Sequence, residues 1–179
     1  MKKYFGIVLL ALAFGCSNPG GYKIEVALQG ANGKAFLEQR ENGNFVPKDT
    51  AEFKNGKAVF KGKVNFPDLY ILHLEGKEQR AAFFVENINM KVTGKADSVQ
   101  LIKVTGSPVN DEYQAIKTIL DKENQTAMSK YQEYQAAEQK GDTVNARLLM
   151  EEVKTIFNEL EKKMVDYVKN NPSSWITPM

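Results

Sequence analysis

The sequence predicts an α+β protein, in which an antiparallel β-sandwich or open barrel is followed by a long antiparallel helical hairpin. From Tyr22 to about Val104, short alternating stretches are separated by turn residues, which is typical of roughly seven to nine short strands. Between Pro108 and Pro172 there is no further proline and only one glycine, Gly141. Apolar residues there recur at helical spacing, which predicts two helices.

The first fifteen residues predict a secretory signal peptide. Lys2 and Lys3 precede an apolar run of about a dozen residues, which is the layout of such a peptide. The run is shorter than the roughly 20 residues that a helix needs to cross a bilayer. It ends at Gly15, and a small residue in front of Cys16 is typical of a signal-peptidase site.

The segment Ala13-Phe14-Gly15-Cys16 resembles the lipobox of bacterial lipoproteins, although its first two residues depart from the usual Leu and small residue. The resemblance implies cleavage after Gly15, a diacylglyceryl group on the Cys16 Sγ and acylation of the new amine. Each buried methylene contributes about 0.8 kcal/mol, so three chains would anchor the protein permanently. The alternative is an ordinary secreted protein with a stray thiol.

Residues 16–21 are predicted to be a short lipidated tether of small and polar residues. No acidic run follows Cys16. Some surface-exported lipoproteins carry such a run. We therefore expect a cell-envelope protein that is anchored to the outer membrane on its periplasmic face.

Composition limits the function classes. Without residues 1–15 the chain has 22 basic and 22 acidic residues. A neutral chain without a basic cluster argues against nucleic-acid binding and against electrostatic docking on lipid headgroups. Cys16 is the only cysteine, so no intrachain disulfide can form and core packing must supply the stability.

The sandwich is predicted over residues 22–108. Alternation from Tyr22 to Leu28 indicates a half-buried strand. Asn-Gly pairs suit tight hairpins because both residues accept positive φ, and they occur at Asn32-Gly33, Asn42-Gly43 and Asn55-Gly56. Four aromatic residues are interpreted as sandwich core: Phe60, Phe66, Phe83 and Phe84.

The helical hairpin is predicted over residues 109–171, followed by a tail at 172–179. Ser107-Pro108 is typical of a helix start, and Asp142 is a good N-cap for the second helix. The second helix carries a clear apolar stripe at steps of three and four, formed by Leu149, Val153, Ile156, Leu160, Met164 and Tyr167.

Two segments carry a family resemblance: "KDTAEFKNGKAVFKGKV" and "FFVENINMKVTGKADSVQLIKVTGSPVNDEY". They are similar to a domain-of-unknown-function module of Gram-negative envelope lipoproteins, which usually precedes a thioredoxin-like domain of the thiol–disulfide oxidoreductase (AhpC-TSA) type. The pieces that match are Asp49-Thr50-Ala51, Asn55-Gly56-Lys57, Phe60, Gly62, Pro67, Phe84-Val85-Glu86, Val104-Thr105-Gly106-Ser107, Asn110, Gly141-Asp142 and Asn171-Pro172-Ser173-Ser174.

The family's redox chemistry implies a downstream Trp-Cys-x-x-Cys site, and this sequence has no such motif. Exchange of thiols needs a thiolate and a resolving thiol. A single, lipidated Cys16 supplies neither, so the oxidoreductase activity is not carried over to this chain.

No catalytic, cofactor-binding or metal-binding residue is predicted. His73 is the only histidine, and a zinc site would need three carboxylates beside it. Four acids are interpreted as the solvated face of a helix, namely Asp111, Glu112, Asp121 and Glu123. Three serines lack a neighbouring base, namely Ser107, Ser173 and Ser174.

Aromatic residues could form a partner surface. Tyr113, Tyr131 and Tyr134 line one helix face, where core packing competes with a homodimer or partner surface. Trp175 is the only tryptophan and should be loosely packed unless something covers it.

Three functions remain open. The first is a non-catalytic envelope lipoprotein that binds or positions a partner, either a thiol–disulfide protein or a second copy of itself. The second is the front portion of a membrane-anchored thiol–disulfide oxidoreductase. The third is a lipoprotein that binds a small ligand or a glycan on exposed aromatic residues, which fails if Phe60, Phe83 and Phe84 are buried.

Overall fold

The computed structural model describes residues 20–176, which form two four-stranded sheets and two long helices. The strands are β1 (Tyr22–Gln29), β2 (Lys34–Glu41), β3 (Asn44–Glu52), β4 (Lys57–Gly62), β5 (Asp68–Leu74), β6 (Arg80–Val85), β7 (Asn89–Lys95) and β8 (Lys103–Thr105). A short 3-10 helix (Ala96–Leu101) precedes β8, and the long helices are α1 (Pro108–Gln139) and α2 (Thr143–Asn170).

The two sheets pack face to face. Sheet A has the strand order β4-β1-β7-β8, and sheet B has the order β3-β2-β5-β6. Alternation places one face of each strand in a shared core, whose largest fully buried side chains include Phe60, Phe83, Leu37 and Leu72. The predicted α+β class, a sandwich followed by a helical hairpin, is therefore confirmed, and the sheets are not closed into a barrel.

One strand pair differs from the predicted antiparallel arrangement. β1 pairs with β4 in antiparallel fashion, but it pairs with β7 in parallel, with Ile24 opposite Met90. A parallel pair needs a long crossover connection. Here the connection from β1 to β7 contains all four strands of sheet B as well as β4 of sheet A.

Asn-Gly turns behave as predicted at two of three sites. Both residues have positive φ at Asn42-Gly43 and at Asn55-Gly56, whereas in the third pair only Gly33 does. The Asn55-Gly56 turn joins β3 of sheet B to β4 of sheet A. It therefore links the two sheets along one open side of the sandwich.

The first turn of α1 lies against the edge strand of sheet B on the opposite side. Phe84 in β6 donates its N–H to Asn110 Oδ1 over 2.8 Å, and Asn110 Nδ2 donates to the Phe84 carbonyl over 2.7 Å. The carboxamide thus pairs with an edge strand as a neighbouring strand would. Asn110 is fully buried, so these bonds are shielded from water.

A second carboxamide repeats this arrangement on sheet A. Val104, in the edge strand β8, donates its N–H to Gln114 Oε1 over 3.3 Å, and Gln114 Nε2 donates to the Val104 carbonyl over 3.2 Å. Because Gln114 and Asn110 are four residues apart, they lie on one face of α1. Helix α1 therefore holds both sheet edges at once.

Both long helices begin at the predicted caps. The Ser107 hydroxyl accepts the N–H of Asn110, with Pro108 in the first turn, and the Asp142 carboxylate accepts the N–H of Asn145. At 1.5 Å per residue, α1 is about 48 Å long. The hairpin therefore extends well beyond the sandwich.

The hairpin packs on the sandwich through a cluster at its base, which we call the base cluster. Phe84 packs there with Val109, Ile116 and Ile176, together with half-buried residues of both helices, among them Tyr113 and Tyr167. The prediction that Phe84 belongs to the sandwich core is therefore wrong, because its side chain faces the helices.

Phe66 is also not a core residue, contrary to prediction. It is 54% exposed, since β4 ends at Gly62 and the alternation does not continue into the loop before β5. Its ring stacks instead on Trp175, with ring centroids 6.2 Å apart.

Tyr22 lies at the end of the sandwich where the described chain begins. A Cβ on Gly62 would come within 2.5 Å of the Tyr22 hydroxyl, so only glycine fits beneath the ring. Burial and the nearby Asp49 carboxylate raise the pKa of Tyr22 from 10.0 to about 12. The folded protein therefore favours the neutral phenol.

This shift predicts a loss of stability in alkali that depends on Tyr22. The folded-state pKa lies above the unfolded value, so the contribution is complete below about pH 10 and disappears as the pH rises through about 12. We expect the free energy of unfolding to fall by about 2 kcal/mol more in the wild type than in Tyr22→Phe over this range. Denaturant unfolding at a series of pH values measures the difference.

Tyr131→Phe is the matched control, because Tyr131 is an exposed tyrosine on α1. The free energy of unfolding of Tyr131→Phe should fall with rising pH in parallel with that of the wild type. Equal pH dependence in the wild type and Tyr22→Phe would contradict the assignment.

Candidate functional site

The part of the hairpin beyond the base cluster carries an apolar groove. Met128 and Tyr131 of α1 and Phe157 of α2 line it, with exposures of 58%, 40% and 48%. Ala127 and Val153 form its floor, and its volume is about 260 Å³. We call this surface the hairpin groove.

Local sequence explains why the hairpin groove exists. Val153 and Ile156 belong to the apolar stripe of α2 that faces α1, and Phe157 follows on the flank of that stripe. On α1 the contact residue is the small Ala127, which is buried. A two-helix pair covers one face of each helix, so large side chains on the flank stay in contact with water.

Ion pairs join the two helices on either side of the groove. Lys130 lies 3.0 Å from Glu152, and Lys163 lies 2.7 Å from Glu123. The hydrogen bond from Lys163 lowers the pKa of Glu123, and Glu152 raises the pKa of Lys130. Exposed ion pairs of this kind contribute little to the free energy of folding.

Two of the three tyrosines predicted to share a surface, Tyr131 and Tyr134, lie side by side with ring centroids 5.5 Å apart, whereas Tyr113 lies elsewhere. Tyr131 lines the hairpin groove, whereas Tyr134 packs on the cluster near the helix turn. Tyr113 packs edge-on against Phe84 in the base cluster. Met128 and Phe157 were missed by the sequence analysis, and their position beside the apolar stripe was the available signal.

His73 has a structural environment. Its Nδ1 lies 3.0 Å from Glu38 Oε1, and its Nε2 lies 2.9 Å from the carbonyl of Lys77. Arg80 donates to the other oxygen of the buried Glu38 over 3.1 Å. Within residues 20–176 no group of three or more His, Cys, Asp or Glu side chains could hold a metal ion.

The acids singled out in the sequence are dispersed. Glu112 accepts a hydrogen bond from Tyr167. Burial, with this hydrogen bond as the second cause, raises the pKa of Tyr167. Glu123 and Asp121 pair with lysines, and Asp111 is exposed in the first turn of α1.

The serines singled out in the sequence also have structural roles. Ser107 is buried and donates to Glu86 while it caps α1. Ser174 contacts the Tyr167 hydroxyl, and Ser173 is exposed.

Trp175 stacks on Phe66 and remains 50% exposed. Phe60, Phe83 and Phe84 are buried, so these three rings cannot contact a ligand in solvent.

None of the helices within residues 20–176 is long and apolar enough to span a membrane. The predicted cleavage and lipidation residues, Gly15 and Cys16, lie outside the described residues.

The searches of curated proteins and of solved structures found no match. A family model described as Domain of unknown function (DUF4369) matches residues 22–113. The chain belongs to the DUF4369 family. The match spans both sheets of the sandwich and the first turn of α1, including Asn110, so the expectation of a domain of unknown function is confirmed.

Several residues that carried the sequence resemblance have structural roles in the DUF4369 fold. Gly62 makes room for Tyr22, and Asn55-Gly56 turns the chain between sheets. A Cβ on Gly106 would lie 2.8 Å from the carbonyl of Asn89. Together with the buried Asn110, these residues maintain the sandwich and its junction with α1.

Proposed function

We propose that this DUF4369 protein is a non-catalytic lipoprotein of the cell envelope that binds a protein partner through the hairpin groove. The observation that carries the proposal is an apolar groove on a helical arm that is held at one end. The base cluster and the two carboxamides hold that end. A rigid arm presents a surface at a defined distance from the sandwich.

An amphipathic helix is the partner element that fits this surface. It would lie along the hairpin and cover Met128, Tyr131 and Phe157, as a third helix covers the open flank of a helix pair. Burial of large apolar side chains supplies most of the binding energy in such grooves. The flanking ion pairs would remain at the rim.

The resemblance to modules that precede thioredoxin-like domains suggests thiol–disulfide proteins as the partner class. In this proposal Cys16 carries lipid, so all redox chemistry belongs to the partner. The anchor would keep the hairpin close to the membrane where that partner works.

A second copy of the chain is a further candidate partner. Lys154 and Glu161 lie three residues before and four residues after Phe157 on α2. A twofold axis near Phe157 would place Lys154 of one copy near Glu161 of the other, which makes the charge pattern self-complementary.

The anchor predicts a defined mass for the N-terminal peptide of the protein from its native membrane. We expect a peptide that begins at Cys16 and carries a diacylglyceryl group and one further acyl chain. Cys16→Ser should move the protein from the membrane fraction to the soluble fraction, because a single residue carries the lipid. Ser17→Ala is the control and should stay in the membrane. An unmodified thiol at Cys16 would contradict the anchor.

The groove predicts site-specific cross-links in intact cells. A photoreactive residue in place of Met128 or Phe157 should give a cross-linked product, because both side chains would contact the partner. The same residue in place of Lys122 or Lys162 is the control, since these exposed positions lie on another side of the hairpin. Denaturing gels and mass spectrometry identify the product.

A product of twice the chain mass would assign the groove to a second copy, and a product with a different protein would assign it to that partner. Absence of a product at the two groove positions would overturn the proposal. Equal yields at groove and control positions would overturn it as well.

A further inference from the structure

The outward face of sheet A is strongly cationic. Outward residues alternate with the core residues along its four strands, and six of them are lysines: Lys23, Lys57, Lys61, Lys91, Lys95 and Lys103. Glu25 is the one acidic residue among the outward positions of these strands. We call this surface the lysine face.

Strand register brings these lysines together from distant parts of the sequence. Lys61 lies opposite Lys23, and Lys91 lies opposite Glu25, with neighbouring strands about 5 Å apart. The expectation that the chain lacks a basic cluster is therefore wrong. The lysines alternate with other residues along each strand and come from four separate strands, so no single stretch of sequence contains the cluster.

Charge on the sandwich is unevenly distributed. Residues 22–108 contain 13 basic and 10 acidic residues, and the lysine face holds six of the basic residues but one of the acidic ones. Glu25 lies 3.3 Å from Lys57 and 4.0 Å from Lys91, so it is shared by two lysines. The face therefore keeps a clear positive excess.

A shallow depression of about 360 Å³ lies on this face. Lys23 and Lys91 line it together with Asn89, Thr105 and the carboxylate of Glu25. Two ammonium groups outweigh the single carboxylate, and together with the amide and the hydroxyl they provide hydrogen bonds that a phosphate accepts.

The described chain begins beside the lysine face. A Cβ on Gly21 would collide with the carbonyl of Gly62, so the backbone packs tightly against the end of β4. Five residue steps separate Cys16 from Gly21 and span at most about 18 Å. A lipid on Cys16 would therefore hold the row of Lys23 and Lys61 within a few Debye lengths, about 8 Å each, of the membrane.

We propose that the lysine face docks on a bilayer of anionic phospholipid, with the sandwich lying against the headgroups. The orientation relies on the lipid anchor of the proposed function, whereas the affinity of the face does not. Val59 is the one large apolar side chain among its outward residues, so docking is electrostatic and does not involve insertion.

A lipid surface fits this face better than a nucleic acid does. Outward residues of the four strands include neither arginine nor an aromatic side chain. Recognition of nucleic acids uses bidentate arginines and stacking aromatics. A flat array of lysines matches a flat array of lipid phosphates.

Vesicle binding of an acyl-free protein tests the proposal. The form begins at residue 16 with Cys16→Ser, and it retains all the described contacts because the core clusters contain no residue before Tyr22. We expect it to sediment with vesicles that contain phosphatidylglycerol but not with phosphatidylcholine alone. Binding should disappear in about 0.5 M salt.

Lysine substitutions distinguish an effect of the lysine face from an effect of the protein's net charge. The variant K23Q/K91Q/K103Q should bind at least about tenfold more weakly, since each lysine near an anionic surface contributes about fivefold. The control K122Q/K162Q/K169Q removes the same charge from exposed positions of the hairpin and should bind like the unsubstituted form. Circular dichroism and thermal unfolding verify that both variants fold.

Equal binding to neutral vesicles, an equal loss in the control variant, or no loss in the face variant would overturn the proposal. Tighter binding to single-stranded DNA than to anionic vesicles at the same salt concentration would overturn it as well. An unmodified Cys16 thiol in the native protein would refute the anchor and leave the vesicle result intact, so the two failures are distinguishable.

Discussion

The structure depends on two side-chain carboxamides at the start of α1. Asn110 pairs with Phe84 on the edge of sheet B, and Gln114 pairs with Val104 on the edge of sheet A. An open sandwich has unpaired N–H and C=O groups along its edge strands. One turn of α1 provides hydrogen-bond partners for an N–H and a C=O group on each edge. These bonds also fix the direction in which the hairpin leaves the sandwich.

This junction lies between the two parts of the molecule that carry the surfaces described above. The sandwich presents the lysine face, and the hairpin presents an apolar groove beyond the base cluster. The fully buried Asn110 links them through hydrogen bonds that are shielded from water. The proposed partner binding and the proposed membrane docking both use surfaces whose relative position this junction fixes.

Local features were predictable from the sequence, whereas long-range ones were not. The strand alternation, the two-residue Asn-Gly turns and the caps Ser107 and Asp142 depend on neighbouring residues, and the structure contains them. The parallel β1–β7 pair and the Asn110 and Gln114 contacts depend on which strands become edges. The lysine face depends on the register of four strands, so no single stretch of sequence shows it.

Aromatic residues illustrate the same limit. Phe83 belongs to the core as expected, but its neighbour Phe84 faces the helices, and Phe66 stacks on Trp175. A pattern of alternation does not tell which outward face a later helix covers, nor where a strand ends before a proline. Tertiary contacts determine the positions of both Phe84 and Phe66.

Amide hydrogen exchange of the native protein tests most directly whether α1 is locked to both sheets. We expect the amide of Phe84, which donates to Asn110, to exchange as slowly as the amides of the central strand β1, and the amide of Val104 to be protected as well. Exchange of both amides at the rate of exposed edge-strand amides would contradict this expectation, because the hairpin would then detach from an intact sandwich.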